Sequence, residues 1–191
     1  MVTLEQFSIK NTFKVDNKGK GKFAEDDFVK YFYENPKNVN KTLHDVRENP
    51  EYQKIDVDFV IDNNGESVLP DKKTVFSESK RFIKVEVKYS GPALRTGKIA
   101  YEVVSHSRRG WACKTECDYI YVVFGKENPD KTFTVKKRGL INFPQWEEFI
   151  DDKANRTEIY YNKDENIIVN IMTYLDDMEE KGVLRYVNEK E

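Results

Sequence analysis

The sequence predicts an α/β fold in which a mixed central β-sheet is flanked by helices. Apolar residues recur at every second position in several segments, which is typical of strands with one buried face. Segments with apolar residues at helical spacing precede and follow these strands. The run 118–124 is almost continuously apolar and indicates a strand buried on both faces. With no repeat or linker in the sequence, we expect one domain over residues 1–191.

The first predicted helix spans residues 23–33 and is expected to end near Asn35-Pro36. Aromatic residues fall near helical spacing, and acids occupy the first turn, where the helix dipole favours negative charge. The next segment, 37–53, is polar and predicts a loop with one helical turn near residues 43–46.

Five strands are predicted after this helix. They span 54–61, 81–90, 98–105, 118–124 and 131–140. Apolar and polar residues alternate in the first three, which predicts one face toward the core. The turn signal at 62–65 ends the first of them, and a loose polar segment, 66–80, leads into the second.

Two helices are predicted near the C-terminus, over 143–151 and 166–181. The second has an apolar stripe at helical spacing, formed by Ile167, Ile168, Ile171, Tyr174, Leu175 and Met178. These segments predict a C-terminal helical extension over 143–181.

Composition and charge limit the classes of function. The chain is 13% aromatic and 35% charged, which is typical of a folded, soluble protein. Its formal net charge of -2 does not by itself indicate a nucleic-acid partner, although a local basic patch is compatible with it. No apolar run is long enough to cross a bilayer, and the N-terminus lacks a secretory signal. We therefore expect no membrane contact and a cytoplasmic location.

The sequence contains two cysteines, Cys113 and Cys117, and two histidines, His44 and His106. Four such side chains match the number of ligands of a structural zinc ion, but their spacing fits no zinc motif. A single close cysteine pair does not indicate a disulfide framework either. We expect reduced thiols, as in an intracellular protein.

Acids on neighbouring predicted strands indicate a site. Asp56 and Asp58 lie in the first strand, and Glu86 and Lys88 lie two residues apart on one face of the second. A Glu-x-Lys pair on a strand is more often a solvated face or a cross-strand ion pair. The acids on both strands, and Glu102 on the third, favour a site instead.

The chemistry of these groups suits phosphodiester hydrolysis. Neighbouring strands lie about 4.8 Å apart, so their side chains can meet. Carboxylate oxygens are ligands for Mg²⁺, which can activate a water and clamp a phosphoryl oxygen. A nearby lysine can stabilise the negative charge that develops during the reaction.

Two segments of the chain form a pattern: Asp58 with the apolar residues 59–61 after it, and then Glu86-Val87-Lys88. This pattern resembles the motif of the PD-(D/E)XK nuclease superfamily. Asp56 is the alternative for the first acid. A literal Pro70-Asp71 also precedes the Glu-x-Lys, but two lysines follow it where the superfamily has apolar residues, and we take it as a decoy.

The resemblance covers about residues 23–124 and implies a restriction-endonuclease-like fold. The core of that fold is one helix, a three-strand meander, a second helix and a further strand. The chain looks similar to small phage or mobile-element members, which would act in the cytoplasm of a host cell. Many members dimerise, so a homodimer is one implied assembly.

The resemblance also implies a metal-dependent nuclease that acts on DNA with Mg²⁺ or Mn²⁺. Asp58, Glu86 and the backbone carbonyl of Val87 would hold the metal. Lys88 would orient or activate the attacking water, and Glu25, on the first helix, would join the site. Glu102 is either a further supporting acid or an exposed strand residue.

The most basic local cluster is His106, Arg108, Arg109 and Lys114. These side chains are candidates for phosphate contacts with DNA, and the ordinary alternative is a solvated turn. Trp111, within this cluster, is either a core anchor or a platform on which a base stacks.

The sequence leaves two functions open. The first is the nuclease. The alternative is a catalytically inactive module of the same fold that binds nucleic acid or protein. The near-neutral charge fits this module at least as well, because a nuclease without sequence preference is expected to carry more positive surface.

Overall fold

The computed structural model describes residues 19–64, 81–163 and 166–187. Its strands are β1 (Thr42–Asp45), β2 (Phe59–Asp62), β3 (Phe82–Tyr89), β4 (Lys98–Ser105), β5 (Arg108–Arg109), β6 (Tyr119–Glu127), β7 (Phe133–Asn142), β8 (Thr157–Lys163), β9 (Asn166–Tyr174) and β10 (Leu184–Val187). Its α-helices are α1 (Gly21–Glu34), α2 (Pro50–Lys54), α3 (Ala93–Thr96), α4 (Phe143–Asp151) and α5 (Leu175–Glu180). Short 3-10 turns cover Pro36–Asn38, Trp111–Cys113 and Lys153–Asn155.

The strands form two sheets. Six strands form the first, in the order β1-β2-β3-β6-β7-β10, and four form the second, in the order β5-β4-β9-β8. The first sheet is mixed, because β3 and β6 are parallel while its other neighbours are antiparallel. The predicted α/β class, with a mixed sheet flanked by helices, is confirmed.

Each face of the six-stranded sheet has its own apolar core. Odd-numbered residues of β2, β3 and β6 pack against Ala24, Phe28 and Phe32 of α1. Even-numbered residues of β2 and β6 face the other way, into a larger core that includes Trp146 of α4 and Tyr101 of the second sheet. This division follows from the alternation of side chains along a strand. Glu86 and Lys88, both even-numbered, therefore point away from α1.

A buried ion pair fastens α1 to the sheet. Arg138 on β7 donates two hydrogen bonds to the Asp27 carboxylate, of 2.9 and 2.7 Å, and the Tyr121 hydroxyl donates a third of 2.9 Å. Bidentate, charge-assisted hydrogen bonds of this kind stabilise the fold and also fix the relative orientation of the two side chains.

The segment before β2 differs from the prediction. Instead of a loop with a helical turn at 43–46, the chain forms β1 and then α2, which begins after the Asn49 cap. Asp56 follows with a φ of 43°, which is incompatible with a strand. The predicted strand 54–61 is therefore wrong in its first half, and Asp56 lies in a turn. The cap and Pro50 explain the difference, since both favour a helix start.

The predicted third strand, 98–105, exists as β4 but belongs to the second sheet, where β9 and β5 are its neighbours. The short helix α3 ends at Gly97, whose φ of +65° turns the chain away from β3. Glu102 therefore lies on a strand of the second sheet, and that strand is not a neighbour of β3.

The predicted helix over 166–181 is also wrong. Residues 166–174 form β9, between β4 and β8, and only Leu175–Glu180 are helical. The run contains isoleucines, a valine and a threonine, whose branched side chains pack well on a pleated surface. The predicted helical extension over 143–181 thus contains α4 and α5 with two strands between them.

Other predictions agree with the structure. The structure contains four predicted elements, with small differences at their ends: the helices over 23–33 and 143–151 and the strands over 81–90 and 118–124. The segment 66–80, with Pro70-Asp71, lies outside the described residues. Within the described ranges, no helix has the length and apolar character needed to cross a membrane.

Candidate active site

Glu86 lies in the middle of β3, between β2 and β6, and only 4% of it is exposed. Its Oε1 accepts a short hydrogen bond from the Lys88 ammonium. Its Oε2 is buried and accepts no hydrogen bond from any of the described residues. A buried carboxylate oxygen without a donor is unfavourable unless a proton or a cation compensates it.

Asp58 stands immediately before β2 and is fixed to β3. Its backbone N–H donates to the Val85 carbonyl at 3.0 Å, and its Oδ2 accepts a hydrogen bond of 2.8 Å from the Val87 N–H. The carboxylate of Asp58 is thereby held beside Glu86, with which it interacts directly.

Asp56 also reaches this region, from the turn before β2. Its backbone carbonyl accepts a 2.8 Å hydrogen bond from the Thr115 hydroxyl, so the turn is tied to the segment before β6. Its Oδ2 is buried and lacks a hydrogen-bond partner in the part of the chain that the structure describes. Both acids that compete for the first position of the motif therefore lie near Glu86.

The pKa values at this site reflect burial and mutual repulsion. Burial raises the pKa of Glu86 to about 8, against the attraction of Lys88, and the charges of Asp58 and Asp56 act in the same direction as burial. Burial also raises the pKa of Asp58, which the Val87 N–H and Lys88 partly oppose. Glu86 therefore holds its proton more readily than an ordinary glutamate does.

Lys88 is the positive group of the site. Burial favours its neutral form, but the carboxylates of Glu86, Asp58 and Asp56 outweigh this and hold its pKa above the usual value. The amine therefore stays protonated. Its side chain is 31% exposed, and its Nζ lies 4.8 Å from the centre of the Trp111 ring.

Trp111 opens the 3-10 turn that follows β5 and joins the larger core. Its ring lies 6.2 Å from that of Tyr101, 6.5 Å from that of Phe143 and 6.3 Å from that of Trp146, between ring centres. These contacts match the core-anchor interpretation. Sequence reasoning did not find the contact with Lys88, because it depends on the path of the chain through the second sheet.

Glu25 is not brought together with Glu86 and Lys88. It lies on α1, on the opposite face of the sheet, and forms an ion pair with Arg47. Arg47 also binds Asp45 and stands over the Phe59 ring, with 5.0 Å between its guanidinium carbon and the ring centre. The charge of Glu25 acts on Asp58, whose pKa it helps to raise.

The predicted basic cluster flanks Trp111 along the chain. Arg108 and Arg109 form β5 and are exposed, and Lys114 is exposed just after the 3-10 turn. His106 begins the tight turn before them with a φ of 49°. Glu102, on β4, has its Oε1 3.5 Å from the Trp111 backbone nitrogen, so it supports this segment and not the carboxylates.

Both cysteine thiols are free among the described residues, and burial raises the pKa of Cys117 to about 12. Cys117 is therefore an inert thiol in the wall of the site. Within ranges 19–64, 81–163 and 166–187, no group of three or more His, Cys, Asp or Glu side chains is arranged to hold a metal ion. No protein-family model, curated protein or solved structure matches this chain.

Proposed function

We propose that this chain is a metal-dependent nuclease that hydrolyses phosphodiester bonds of DNA. The main observation behind the proposal is the meeting of Asp58, Glu86 and Lys88 on one side of β3, where Glu86 Oε2 is buried without a donor. Holding three charged groups this close together lowers the stability of the folded protein. Carboxyl groups with perturbed pKa values of this kind are enriched at functional sites.

The donor set fits Mg²⁺ or Mn²⁺. Asp58 and Glu86 offer carboxylate oxygens, Val87 offers a backbone carbonyl, and hard divalent cations prefer such ligands. Two carboxylates are enough for Mg²⁺, which usually keeps several water ligands, so a third acidic side chain is not required. A cation bound there would polarise the phosphate and lower the pKa of a water.

The residues of the chain have separate roles under this proposal. The Val87 N–H holds Asp58 in place, and Glu86 exchanges its proton for the cation. Lys88 stays charged, orients the attacking water and stabilises negative charge as it develops. The exposed cations Arg108, Arg109 and Lys114 contact the phosphate backbone of the DNA.

The order of elements supports the same proposal. Helix α1 is followed by β1, β2 and β3 as antiparallel neighbours, and then by β6 parallel to β3. A restriction-endonuclease-like core has this order. The connection between β3 and β6 differs from the expected single helix, because it consists of the short α3 and the excursion through β4 and β5.

The test is a cleavage assay with single-stranded, double-stranded and branched DNA, each with Mg²⁺ and with Mn²⁺. Lys88→Met should lower kcat by about 100-fold or more, as expected when a group that stabilises transition-state charge is removed. Lys84→Met is the matched control. Lys84 lies on the same face of β3 but pairs with the exposed Glu116, at 3.1 Å. Equal activity of the two variants and the wild type would refute the proposal.

The alternative, an inactive binding module of the same fold, is favoured by one observation. The acids of the described site are compensated in part by Lys88, and the chain as a whole carries a net charge of -2. Isothermal titration calorimetry with Mn²⁺ separates the two functions. Binding of DNA without any binding of Mn²⁺ at millimolar concentration would establish the module and exclude the nuclease.

A further inference from the structure

The ammonium of Lys88 has two described neighbours of different kinds. One is the Glu86 carboxylate, and the other is the face of the Trp111 ring, whose centre lies 4.8 Å from Nζ. The side chain is 31% exposed, so packing alone does not fix it. A lysine side chain has several rotatable bonds and needs specific partners to hold one position.

Trp111 is itself held firmly. Its ring packs on Tyr101, Phe143 and Trp146 in the larger core. Its carbonyl accepts backbone hydrogen bonds from Lys114 and Thr115, of 2.9 and 3.0 Å. The position of the indole is therefore set by the core and by the 3-10 turn.

The Trp111 ring can attract the Lys88 ammonium without adding a negative charge, which another acid could not do. Asp56 and Asp58 compete with Glu86 for the ammonium, since all three attract it. An aromatic face attracts a cation without taking up its proton and without adding charge. It can therefore determine which carboxylate the ammonium approaches while leaving the charge of the site unchanged.

We propose that Trp111 is a positioning residue for Lys88, holding the ammonium against Glu86 and at a fixed place beside the Asp58 carboxylate. The ammonium occupies one face of the Trp111 ring, so a DNA base cannot stack on that face. The consequence for catalysis rests on the proposed function, whereas the position of the ammonium does not.

The test combines NMR spectroscopy with kinetics in the full chain. Protons on the Nζ and Cε of Lys88 should be shifted upfield by the ring current of Trp111. This shift should persist in Trp111→Phe and disappear in Trp111→Leu. With DNA and Mg²⁺, Trp111→Leu should lower kcat about tenfold with KM within about twofold, and Trp111→Phe should stay within about threefold of the wild type.

A second cation–π pair serves as the matched control. Lys98 lies over Tyr174, 4.3 Å from the ring centre, at the end of the β4–β9 pair. Tyr174→Leu should abolish the shift of Lys98 and leave the shift of Lys88 and the kinetics unchanged. Thermal melts show whether each variant is folded. If Trp111→Leu is unfolded, Trp111→Phe, which keeps an aromatic ring, tests the position of the Lys88 ammonium in its place.

Two results would overturn the inference. One is a wild-type Lys88 whose resonances lack the upfield shift. The other is a folded Trp111→Leu variant with the kcat of an active wild type. If the wild type cleaves no DNA, the proposed function fails, and the Lys88 resonances alone then decide whether Trp111 positions the ammonium.

Discussion

The carboxylate of Asp58 accepts a 2.8 Å hydrogen bond from the backbone N–H of Val87, the residue between Glu86 and Lys88. The acid that precedes β2 is thus anchored to the backbone of β3, at the centre of the Glu-x-Lys sequence. Asp56 has no comparable anchor to β3 among the described contacts. Its link is through its own carbonyl to Thr115.

Under the proposed function, this difference predicts which aspartate would be the metal ligand. Asp58→Asn keeps an oxygen that can accept from Val87 but loses the charge, so the fold should persist while the affinity for Mn²⁺ falls. We expect a loss of at least about 100-fold, the upper end of what removal of an outer-shell partner costs. Asp56→Asn should cost less than about tenfold. Calorimetric titration with Mn²⁺ measures both, and the reverse order would identify Asp56 as the ligand.

The raised pKa of Glu86 predicts how stability depends on pH in the presence of a chelator. In the unfolded chain this carboxyl ionises near 4.5, and in the folded protein near 8. Between these values the folded state binds more protons, so the free energy of unfolding should fall as pH rises, by on the order of a few kcal/mol. Chemical denaturation at several pH values measures the slope.

A variant and a cation test the origin of this slope. Glu86→Gln should remove most of it and leave the smaller contribution of Asp58, whose pKa is also raised. Saturating Mn²⁺ should oppose it, because the cation competes with the proton. Arg47 holds the pKa of Asp45 below its usual range, which affects stability only at lower pH. An unchanged slope in Glu86→Gln would show that Glu86 is not the group responsible.

Prediction from sequence succeeds where one local pattern has one structural solution. The alternation around Glu86 predicts a strand, the apolar run of β6 favours one, and both strands are present. The run 166–174 fits a helical stripe as well as a strand, and its pairing with β4 and β8 decides for the strand. Local sequence does not encode such distant partners.

The residues of the candidate site also divide into those that a local pattern predicts and those whose positions depend on distant contacts. Glu86 and Lys88 are predictable, because residues two apart on a strand share a face. Asp56 is misplaced by the sequence pattern because the α2 cap, a local signal, overrides the alternation that follows it. The contact of Trp111 with Lys88 depends on the excursion of the chain through the second sheet, and no spacing in the sequence reveals it.

The buried pair of Asp27 and Arg138 predicts a large effect on stability. Arg138→Met removes two of the three described donors to the Asp27 carboxylate and leaves Tyr121 as the third. Breaking a buried pair in this way costs about 3–5 kcal/mol. Lys22→Met, which removes an exposed pair on the same helix, should cost less than about 0.5 kcal/mol. Urea denaturation compares the two, and equal losses would contradict the structural role of the Arg138 pair.

Gly110 connects the second sheet to the candidate site, because it packs against β4 and directly precedes Trp111. A Cβ at this position would lie 2.2 Å from the backbone oxygen of Glu102, a distance that forces the segment to move. Because Trp111 follows directly, Gly110→Ala should displace the indole from Lys88 and lower kcat about as much as Trp111→Leu does, about tenfold.

Gly97→Ala separates this effect from general loss of stability. Gly97 has a φ of +65° but nothing within 4 Å of a built Cβ, so alanine there adds only backbone strain, about 1 kcal/mol. It should lower the melting temperature while kcat stays near that of the wild type. A Gly110→Ala variant that keeps both kcat and the upfield shift of Lys88 would show that the close approach of β4 to the 3-10 turn does not set the position of Trp111.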